Sequence, residues 1–576
     1  MRRVNHNISL FLLVLFFIAA DVVFALQAPQ QNPADAPIAV AKPADATPVN
    51  QIIERTISRE TVLASKMRDF HPLVETYLQS LDTDDELAFR PVSDQYFISK
   101  LDLNARSKEH SLRKGGMAAK ITGAISQLYS ARYSPGSFAK MLVVDANFDK
   151  SNYQFEYVRR EFLGEVRTLV FDVLPRKGSP GVFQGRIWVE DQDYNIVRFN
   201  GAYEPSVPAE GYFHFDSWRE HMGPGLWLPA YVYTEESSKP YLSGARHLRF
   251  KGQTRLWGYN VGKSNASSEL TTLIVESDEV KDKVEAAEGN SPVYALRAWE
   301  RQAEENVIQR LEKAALLAPE GKVNEVLHTV ITNLEVTNNL DIQPEVRARV
   351  LLTTPLESFT IGHTIVLSRG MIDVLPDEAS LAMVLAHELA HIALGHRLDT
   401  MYAFNDRMLF DDPEAFQKLN LKRRDKEEID ADVKAADFLK NSPYKDKLGN
   451  AGLFLQAVDA RAGQLSNLLL PHIGNTIVKG SQVQRMAALK QGAPKLDLTK
   501  VDQIPALPLG SRVRVDPWSA KIELVKSKPV ALLSAREKMP FEVTPFYLRL
   551  TRQSAGTPEK TLEADATPSE QVSTVK

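Results

Sequence analysis

Cysteine is absent from the 576 residues of this chain, and its charge is nearly balanced, with 69 basic and 73 acidic side chains. The missing thiols exclude disulfides, cysteine nucleophiles and iron–sulfur clusters. The formal net charge of −4 argues against binding driven by nucleic-acid phosphates. Any metal must therefore be bound by carboxylates and by histidine, of which the chain has only 12.

Apolar runs of membrane-spanning length are also lacking. Residues 8–20 (ISLFLLVLFFIAA) follow a basic start and precede a V-F-A step, a pattern typical of a signal peptide (residues 1–25) cleaved near Ala25. The alternative is an uncleaved inner-membrane anchor, although a span needs about 20 apolar residues. We therefore expect an exported, periplasmic protein that is soluble after cleavage.

The rest of the chain divides by composition. Residues 26–52 are rich in alanine and proline, and the tail 553–576 is polar, so both are predicted to be disordered. Segment 53–277 combines helical patterns with alternating strands, segment 278–495 is mostly helical, and 496–552 is β-rich.

The strand-rich part predicts a curved antiparallel sheet. Residues 59–81 have a helical pattern, but from Tyr153 short apolar-alternating runs follow one another. The stretch 185–201 (GRIWVEDQDYNIVRFNG) is predicted to be a hairpin with its turn near Asp191–Asn195. In the helical region we expect one strand pair near 348–367.

A His-Glu-Leu-Ala-His pattern at 387–391 is the main chemical signal. Apolar spacing predicts a helix that begins near Asp377 and ends near Gly395. On it His387 and His391 project from one face and can bind one Zn²⁺, and Glu388 can take a proton from zinc-bound water. The alternative, a buried helix with polar interruptions, would leave these three side chains in need of several partners.

Catalytic zinc usually has a third protein ligand. His396 lies beyond Gly395 and is expected to turn away. On the predicted helix 423–440, Glu428 and Asp432 share a face, so Glu428 is the candidate ligand and Asp432 the candidate acceptor for a ligand imidazole. The alternative is a solvated acidic helix.

The remaining positions of this helix divide into polar and apolar ones. Glu427 and Asp430 are expected to face solvent. Four residues are expected to form its apolar stripe, namely Ile429, Val433, Ala436 and Leu439.

HELAHIALGH followed by EIDAD resembles the HExxH…ExxAD pattern of the HtpX/BepA-like zinc metalloendopeptidases, a family that includes the CAAX prenyl proteases. The resemblance covers about residues 318–490. It implies one zinc ion per chain bound by His387, His391 and Glu428, with Glu388 as general base and Asp432 supporting a ligand. It also implies a structural role for the histidine at 396.

The resemblance extends to a substrate-binding edge strand, on which an extended peptide can pair. Its residues are Ser358, Phe359, Thr360 and Ile361. Glu357-Ser358 stands where the family usually has Asn-Ala, and His363 where glycine is common. This departure concerns the specificity of the cleft rather than its chemistry.

Residues 469–490 resemble the His-Pro…Arg segment that closes the family domain. This implies that His472 approaches the metal or steadies the tetrahedral intermediate, and that Arg485 contributes to the cleft. In BepA-like members a histidine here can occupy the open zinc position and hold the enzyme inactive. Ile473 replaces the family's proline, and the alternative for His472 is a surface loop.

Two further segments leave alternatives open. Residues 399–425 form either an amphipathic lid over the cleft or part of the core. Segment 150–275 resembles LolA-like periplasmic carriers in topology, which implies a concave surface for lipid or unfolded chain; otherwise it is a sheet packed on its own helices.

Together these observations predict a multidomain α+β protein. A mostly helical zinc-peptidase domain with a small edge sheet follows a curved antiparallel β-sheet domain and precedes a small β-rich module. The expected function is zinc-dependent cleavage of misfolded or unassembled envelope polypeptides, with lipid or outer-membrane assembly factors as further partners. The alternative is a periplasmic chaperone, or a protein that binds lipid or outer-membrane proteins, whose zinc site is latent or structural.

Overall fold

The computed structural model describes residues 49–84, 88–101, 110–111, 140–145, 147–203, 213–236, 250–259, 304–396, 421–470, 473–497, 513–515, 522–524, 541, 543 and 548–552. The predicted signal peptide, most of the predicted linker and the tail lie outside this part of the chain. Within it, no helix is both long enough and apolar enough to span a membrane.

In the described part of the chain, the larger sheet contains ten strands, all paired antiparallel. They are β1 (Leu73–Asp84), β2 (Ala88–Lys100), β3 (His110–Ser111), β4 (Tyr153–Leu163), β5 (Val166–Pro175), β6 (Phe183–Glu190), β7 (Ile196–Tyr203), β8 (Phe213–Gly223), β9 (Leu226–Glu236) and β10 (Phe250–Trp257). Their order is β3-β2-β1-β10-β9-β8-β7-β6-β5-β4. Strand β4 therefore lies at the edge opposite β3, and β4 to β10 follow in chain order until β10 pairs with β1. The predicted antiparallel sheet and its β6–β7 hairpin are confirmed; its curvature stays a prediction.

The helical pattern over residues 59–81 is only half right. Helix α1 (Val49–Lys66) contains its first part and begins inside the predicted linker, but the second part is strand β1. β1 pairs with β2 on one side and with β10 on the other. Such pairing between distant segments overrides a local helical pattern.

The sequence pattern does not predict strand β8, because this strand is rich in polar side chains. Its Asp216 forms an ion pair with Arg198 of β7, with 2.8 Å between the nearest atoms. Its Arg219 forms a buried ion pair with Glu60 of α1 at 2.7 Å. Such ion pairs, between neighbouring strands or between helix and sheet, offset the free-energy cost of burying charged side chains. From the sequence alone, residues this polar are assigned to a loop.

The two faces of the large sheet belong to two apolar cores. On one face α1 packs against an aromatic cluster that includes Phe183, Phe199 and Phe215. On the other face Trp188 and Trp218 belong to the same buried cluster as the interior of the helical region. The sheet and the helical region therefore share one continuous core.

The described helical region contains seven further α-helices, besides helical residues at 304–313. They are α2 (Lys322–Thr337), α3 (Arg369–Val374), α4 (Glu378–Ala393), α5 (Asp425–Lys440), α6 (Leu448–Arg461), α7 (Ser466–Leu469) and α8 (Ala487–Gly492). Two short 3₁₀ helices lie at Lys140–Leu142 and Lys445–Lys447.

The strand pair predicted near 348–367 is a sheet of three strands. They are β11 (Arg347–Leu351), β12 (Ser358–Ile361) and β13 (Thr364–Ser368). β13 lies in the middle, parallel to β11 and antiparallel to β12. Two short hairpins follow, β14 (Val478–Lys479) with β15 (Gln482–Val483) and β16 (Val513–Val515) with β17 (Ile522–Leu524).

Two buried carboxylates of the large sheet bind the helical region. Glu75 on β1 accepts hydrogen bonds from Thr354 and Arg369. Asp94 on β2 accepts backbone hydrogen bonds from Asn467 at 2.9 Å and Leu468 at 2.7 Å, at the start of α7. These contacts fix the sheet against the loop before β12 and against helices α3 and α7; the predicted domain boundaries stay predictions.

Candidate metal centre

Helix α4 forms where the sequence predicts it. Asp377 caps its start by accepting a 2.9 Å hydrogen bond from the Ser380 backbone, and the chain leaves it through Gly395 at a φ of +67°. A positive φ at this position suits glycine, which lacks the Cβ that disfavours it. Both histidines of the motif and Glu388 are fully buried on this helix.

Three side chains from two helices converge. His387 Nε2 and His391 Nε2 of α4 lie 3.1 Å apart. Glu428 of α5 places its two carboxylate oxygens 3.3 Å from the first nitrogen and 3.4 Å from the second. The structure thus brings together the three residues predicted to bind zinc, and they form a group able to hold a metal ion.

The donor atoms fit a zinc ion. Bonds of about 2.0–2.2 Å at tetrahedral angles place neighbouring donor atoms about 3.3 Å apart, close to the spacing in this group. Glu428 Oε1 is buried and accepts no hydrogen bond from the described residues, so a cation would satisfy it. Two imidazoles and one carboxylate are also a common ligand set of catalytic zinc.

The charges around Glu428 prepare it for a cation. Burial by itself would raise the pKa of this carboxyl, but the neighbouring imidazoles of His387 and His391 and the charge of Arg485 lower it well below its usual range. The carboxylate is therefore ionised at neutral pH, as a metal ligand must be.

Both histidines are oriented through their other ring nitrogen. His387 Nδ1 lies 2.8 Å from Asp432 Oδ1, and the second oxygen of Asp432 accepts a 2.8 Å hydrogen bond from the Met486 backbone. A proton on Nδ1, held by Asp432, leaves Nε2 free for a metal. His391 Nδ1 lies 2.9 Å from His396 Nδ1, so His396 contacts a predicted ligand without joining the metal group.

Replacing Asp432 with asparagine should weaken zinc binding by about 10–100-fold, because the acceptor that orients His387 loses its charge. Competition with a chelator of known affinity measures the change. Asp430→Asn is the matched control, since Asp430 is exposed on the same helix. Equal zinc affinities for the two variants would contradict the role of Asp432.

Glu388 lies beside this group, and three neighbours hold it. Ser358 Oγ and Thr360 Oγ1 each lie 2.7 Å from one of its oxygens, and Arg485 Nη1 lies 3.5 Å away. Burial raises the pKa of Glu388, but Arg485, the two histidines and the Ser358 hydrogen bond outweigh it and lower the pKa below its usual value. Glu388 is thus a carboxylate able to accept a proton.

The predicted substrate strand β12 is at the edge of the small sheet but is not exposed. All four of its residues are buried, and Ser358 forms a backbone bridge with Asn475. Arg423 Nη2 donates a 3.2 Å hydrogen bond to the Thr360 carbonyl, and its backbone N–H donates one to Asn475 Oδ1. The chain's own residues therefore contact the outer side of the strand.

Gly474 allows the segment around Asn475 to lie close to strand β12. A Cβ at this position would lie 2.6 Å from Phe359 Cδ1 and 3.0 Å from the Ser358 carbonyl oxygen. Glu357 holds the same segment by accepting hydrogen bonds from the backbone of Ile473 and Gly474 at 3.2 and 3.3 Å. His472, the next residue toward the N-terminus, lies outside the described residues, as do 397–420 of the segment considered as lid or core.

The predicted apolar stripe of α5 is wrong in part. Ile429 and Val433 are 62% and 64% exposed, whereas the buried positions are Ala431, Ala435, Phe438 and Leu439. Successive residues turn by about 100° around a helix, so with Glu428 and Asp432 facing α4 the positions after each of them turn outward.

Arg423 and the hydroxyls of Ser358 and Thr360 were missed as neighbours of the motif. The sequence shows them only as members of a charged run and of an edge strand. Alternation along β12, which puts residues 358 and 360 on one face, was the available signal.

Residues 318–410 match the sequence model of peptidase family M48. The match includes HELAH and ends before Glu428, and it confirms the predicted resemblance to a zinc metallopeptidase family. No curated protein matches the chain.

Eight chains of solved structures are similar to this chain, including the following two. A LolA superfamily protein of Nitrosomonas europaea has 12% identity and a TM-score of 0.20, over 37% of this chain and 93% of that one. A DUF1329 family protein of Desulfovibrio piger has 11% identity and a TM-score of 0.18, over 36% of this chain and 95% of that one.

Proposed function

We propose that this chain, which contains a segment matching peptidase family M48, is a zinc-dependent endopeptidase that cleaves misfolded or unassembled envelope polypeptides. The observation that supports this most is the convergence of His387, His391 and Glu428 beside the buried carboxylate Glu388. A site that only stabilises the fold has no use for a carboxylate next to its ligands. Export to the periplasm is proposed from residues 1–25 alone.

The chain's own groups have distinct parts in the proposed hydrolysis. Zinc, when bound, supplies Lewis-acid activation of water and stabilises negative charge on the scissile carbonyl oxygen. Glu388 accepts a proton from the attacking water and returns it to the leaving amine. Asp432 holds the ring of His387 in the tautomer that leaves Nε2 unprotonated.

Access to the site favours unfolded substrates. An extended peptide that pairs with β12 must displace the Asn475 bridge and the Arg423 hydrogen bond to Thr360. A folded protein has no free strand to exchange for these contacts, whereas an unfolded chain offers its backbone along its whole length. We therefore propose misfolded or unassembled chains as the substrate class.

Replacing Glu388 with glutamine should lower kcat/KM on an unfolded outer-membrane β-barrel polypeptide by about 10²–10⁴-fold, the usual contribution of a general base. Zinc content, measured by elemental mass spectrometry, should stay at one ion per chain because the three ligands are intact. Wild-type protein stripped of metal by a chelator and then reloaded with zinc is the control. Equal cleavage by variant and wild type would disprove the role of Glu388.

One observation favours the alternative of a binding protein with a latent zinc site. The outer side of β12 is occupied by the chain's own residues 473–475 and Arg423. Binding of the same unfolded polypeptide without cleavage by the wild type, at any zinc concentration, would support this alternative over the endopeptidase.

A further inference from the structure

The side chains of strand β12 alternate between two environments. Ser358 and Thr360 point to helix α4, where their hydroxyl oxygens lie 2.7 Å from Glu388 Oε1 and Oε2 respectively. All three residues are at most 1% exposed, so water does not compete for these hydrogen bonds. The strand considered as a substrate edge therefore also contacts the proposed general base.

The direction of both hydrogen bonds follows from the partners. An ionised carboxylate can only accept, so both hydroxyls donate to Glu388. Arg485 Nη1 lies 2.6 Å from Ser358 Oγ and can only donate, which directs the single hydroxyl proton of Ser358 toward the carboxylate. Arg485 thus fixes Ser358, and Ser358 fixes one oxygen of Glu388.

We propose that Ser358 and Thr360 are positioning residues that fix the carboxylate plane of Glu388 for proton transfer; this rests on the proposed endopeptidase function. With one hydroxyl on each oxygen the carboxylate cannot rotate without breaking a charge-assisted hydrogen bond. Each oxygen keeps a second lone pair for the attacking water. Glycine or alanine at these two positions would leave the carboxylate free to turn.

Thr360→Val removes one hydroxyl while keeping the branched shape. We expect kcat to fall by about 10–100-fold, because a small misplacement of a catalytic group has effects of that size, while KM is unchanged. Thr360→Ser returns the hydroxyl and should restore kcat. Thr353→Val is the matched control, since Thr353 is buried nearby and its hydroxyl has no hydrogen-bond partner among the described residues.

Substrate binding separates this role from a contact with the peptide. Anisotropy of a fluorescent unfolded peptide should give the same dissociation constant for Glu388→Gln and for Glu388→Gln/Thr360→Val. Zinc content and melting temperature of Thr360→Val should equal those of Thr353→Val. Two results would overturn the proposal. One is a larger dissociation constant for Glu388→Gln/Thr360→Val than for Glu388→Gln, and the other is a kcat of Thr360→Val equal to or above that of the wild type.

The two hypotheses fail in different ways. If the wild type cleaves and Glu388→Gln does not, the endopeptidase stands, and an active Thr360→Val then refutes the positioning role alone. If the wild type itself never cleaves while retaining zinc, the proposed function fails, and the positioning role fails with it.

Discussion

Glu428→Gln should yield a folded protein that neither retains zinc nor cleaves peptides. The amide is neutral and replaces the one anionic donor beside two imidazoles, from which the carboxylate oxygens lie 3.3 and 3.4 Å. Loss of a ligand should reduce zinc affinity by more than the roughly 10–100-fold that follows from the loss of a supporting hydrogen bond. Elemental analysis after dialysis against a chelator gives the zinc content, and cleavage of an unfolded polypeptide gives the activity.

Glu427→Gln provides the matched control one residue away. Glu427 is not part of the metal group and pairs with Arg424, whose side chain is 85% exposed while that of Glu427 is 12% exposed. A pair with one partner in solvent contributes about 1 kcal/mol, and the glutamine keeps the shape of the side chain, so this variant should keep both zinc and activity. Zinc retained by Glu428→Gln at the level of Glu427→Gln would show that the third ligand lies elsewhere.

The pairing of site residues within each helix was predictable because it follows from short-range periodicity. Residues four apart on a helix share a face, which places His387 with His391 and Glu428 with Asp432. The start of α4 at Asp377 followed from capping chemistry. Spacing alone does not say which helices touch; the meeting of the two helices was inferred from the need for a third zinc ligand and supported by the family resemblance.

The parts that sequence reasoning missed depend on contacts between distant segments. The apolar spacing of β1 by itself predicts a helix, and only its pairing with β2 and β10 makes it a strand. The environment of Glu388 includes the hydroxyls of Ser358 and Thr360, about thirty positions earlier in the chain. The outward turn of Ile429 follows from the orientation of α5, which is set by α4 rather than by its own sequence.

Through the shared core, the large sheet contributes to the stability of the helical region. Glu75 on β1 is 2% exposed and accepts hydrogen bonds from Arg369 at 2.7 Å, Thr354 Oγ1 at 2.8 Å and Tyr96 at 3.0 Å. Arg369 is 1% exposed and directly follows β13, the strand that pairs with β12. The sheet thereby supplies the counter-charge for an arginine at the base of the small sheet.

Glu75→Ala should therefore destabilise the protein by about 3–5 kcal/mol, because it leaves the buried guanidinium of Arg369 without its counter-charge. Urea denaturation followed by tryptophan fluorescence measures the change. Glu305→Ala is the surface control, since the Glu305–Arg347 pair is exposed and should contribute at most about 1 kcal/mol. Similar urea midpoints for the two variants would contradict the role of Glu75.

Replacing both Glu75 and Arg369 tests whether the destabilisation comes from a buried charge left without its partner. Glu75→Met/Arg369→Met removes both charges and fills similar volume, so it should be more stable than Glu75→Ala. The effects should be strongly non-additive, because the two side chains touch in the folded state. If the double variant is as unstable as the sum of the single ones, the cost comes from lost packing at the sheet, and the counter-charge argument is wrong.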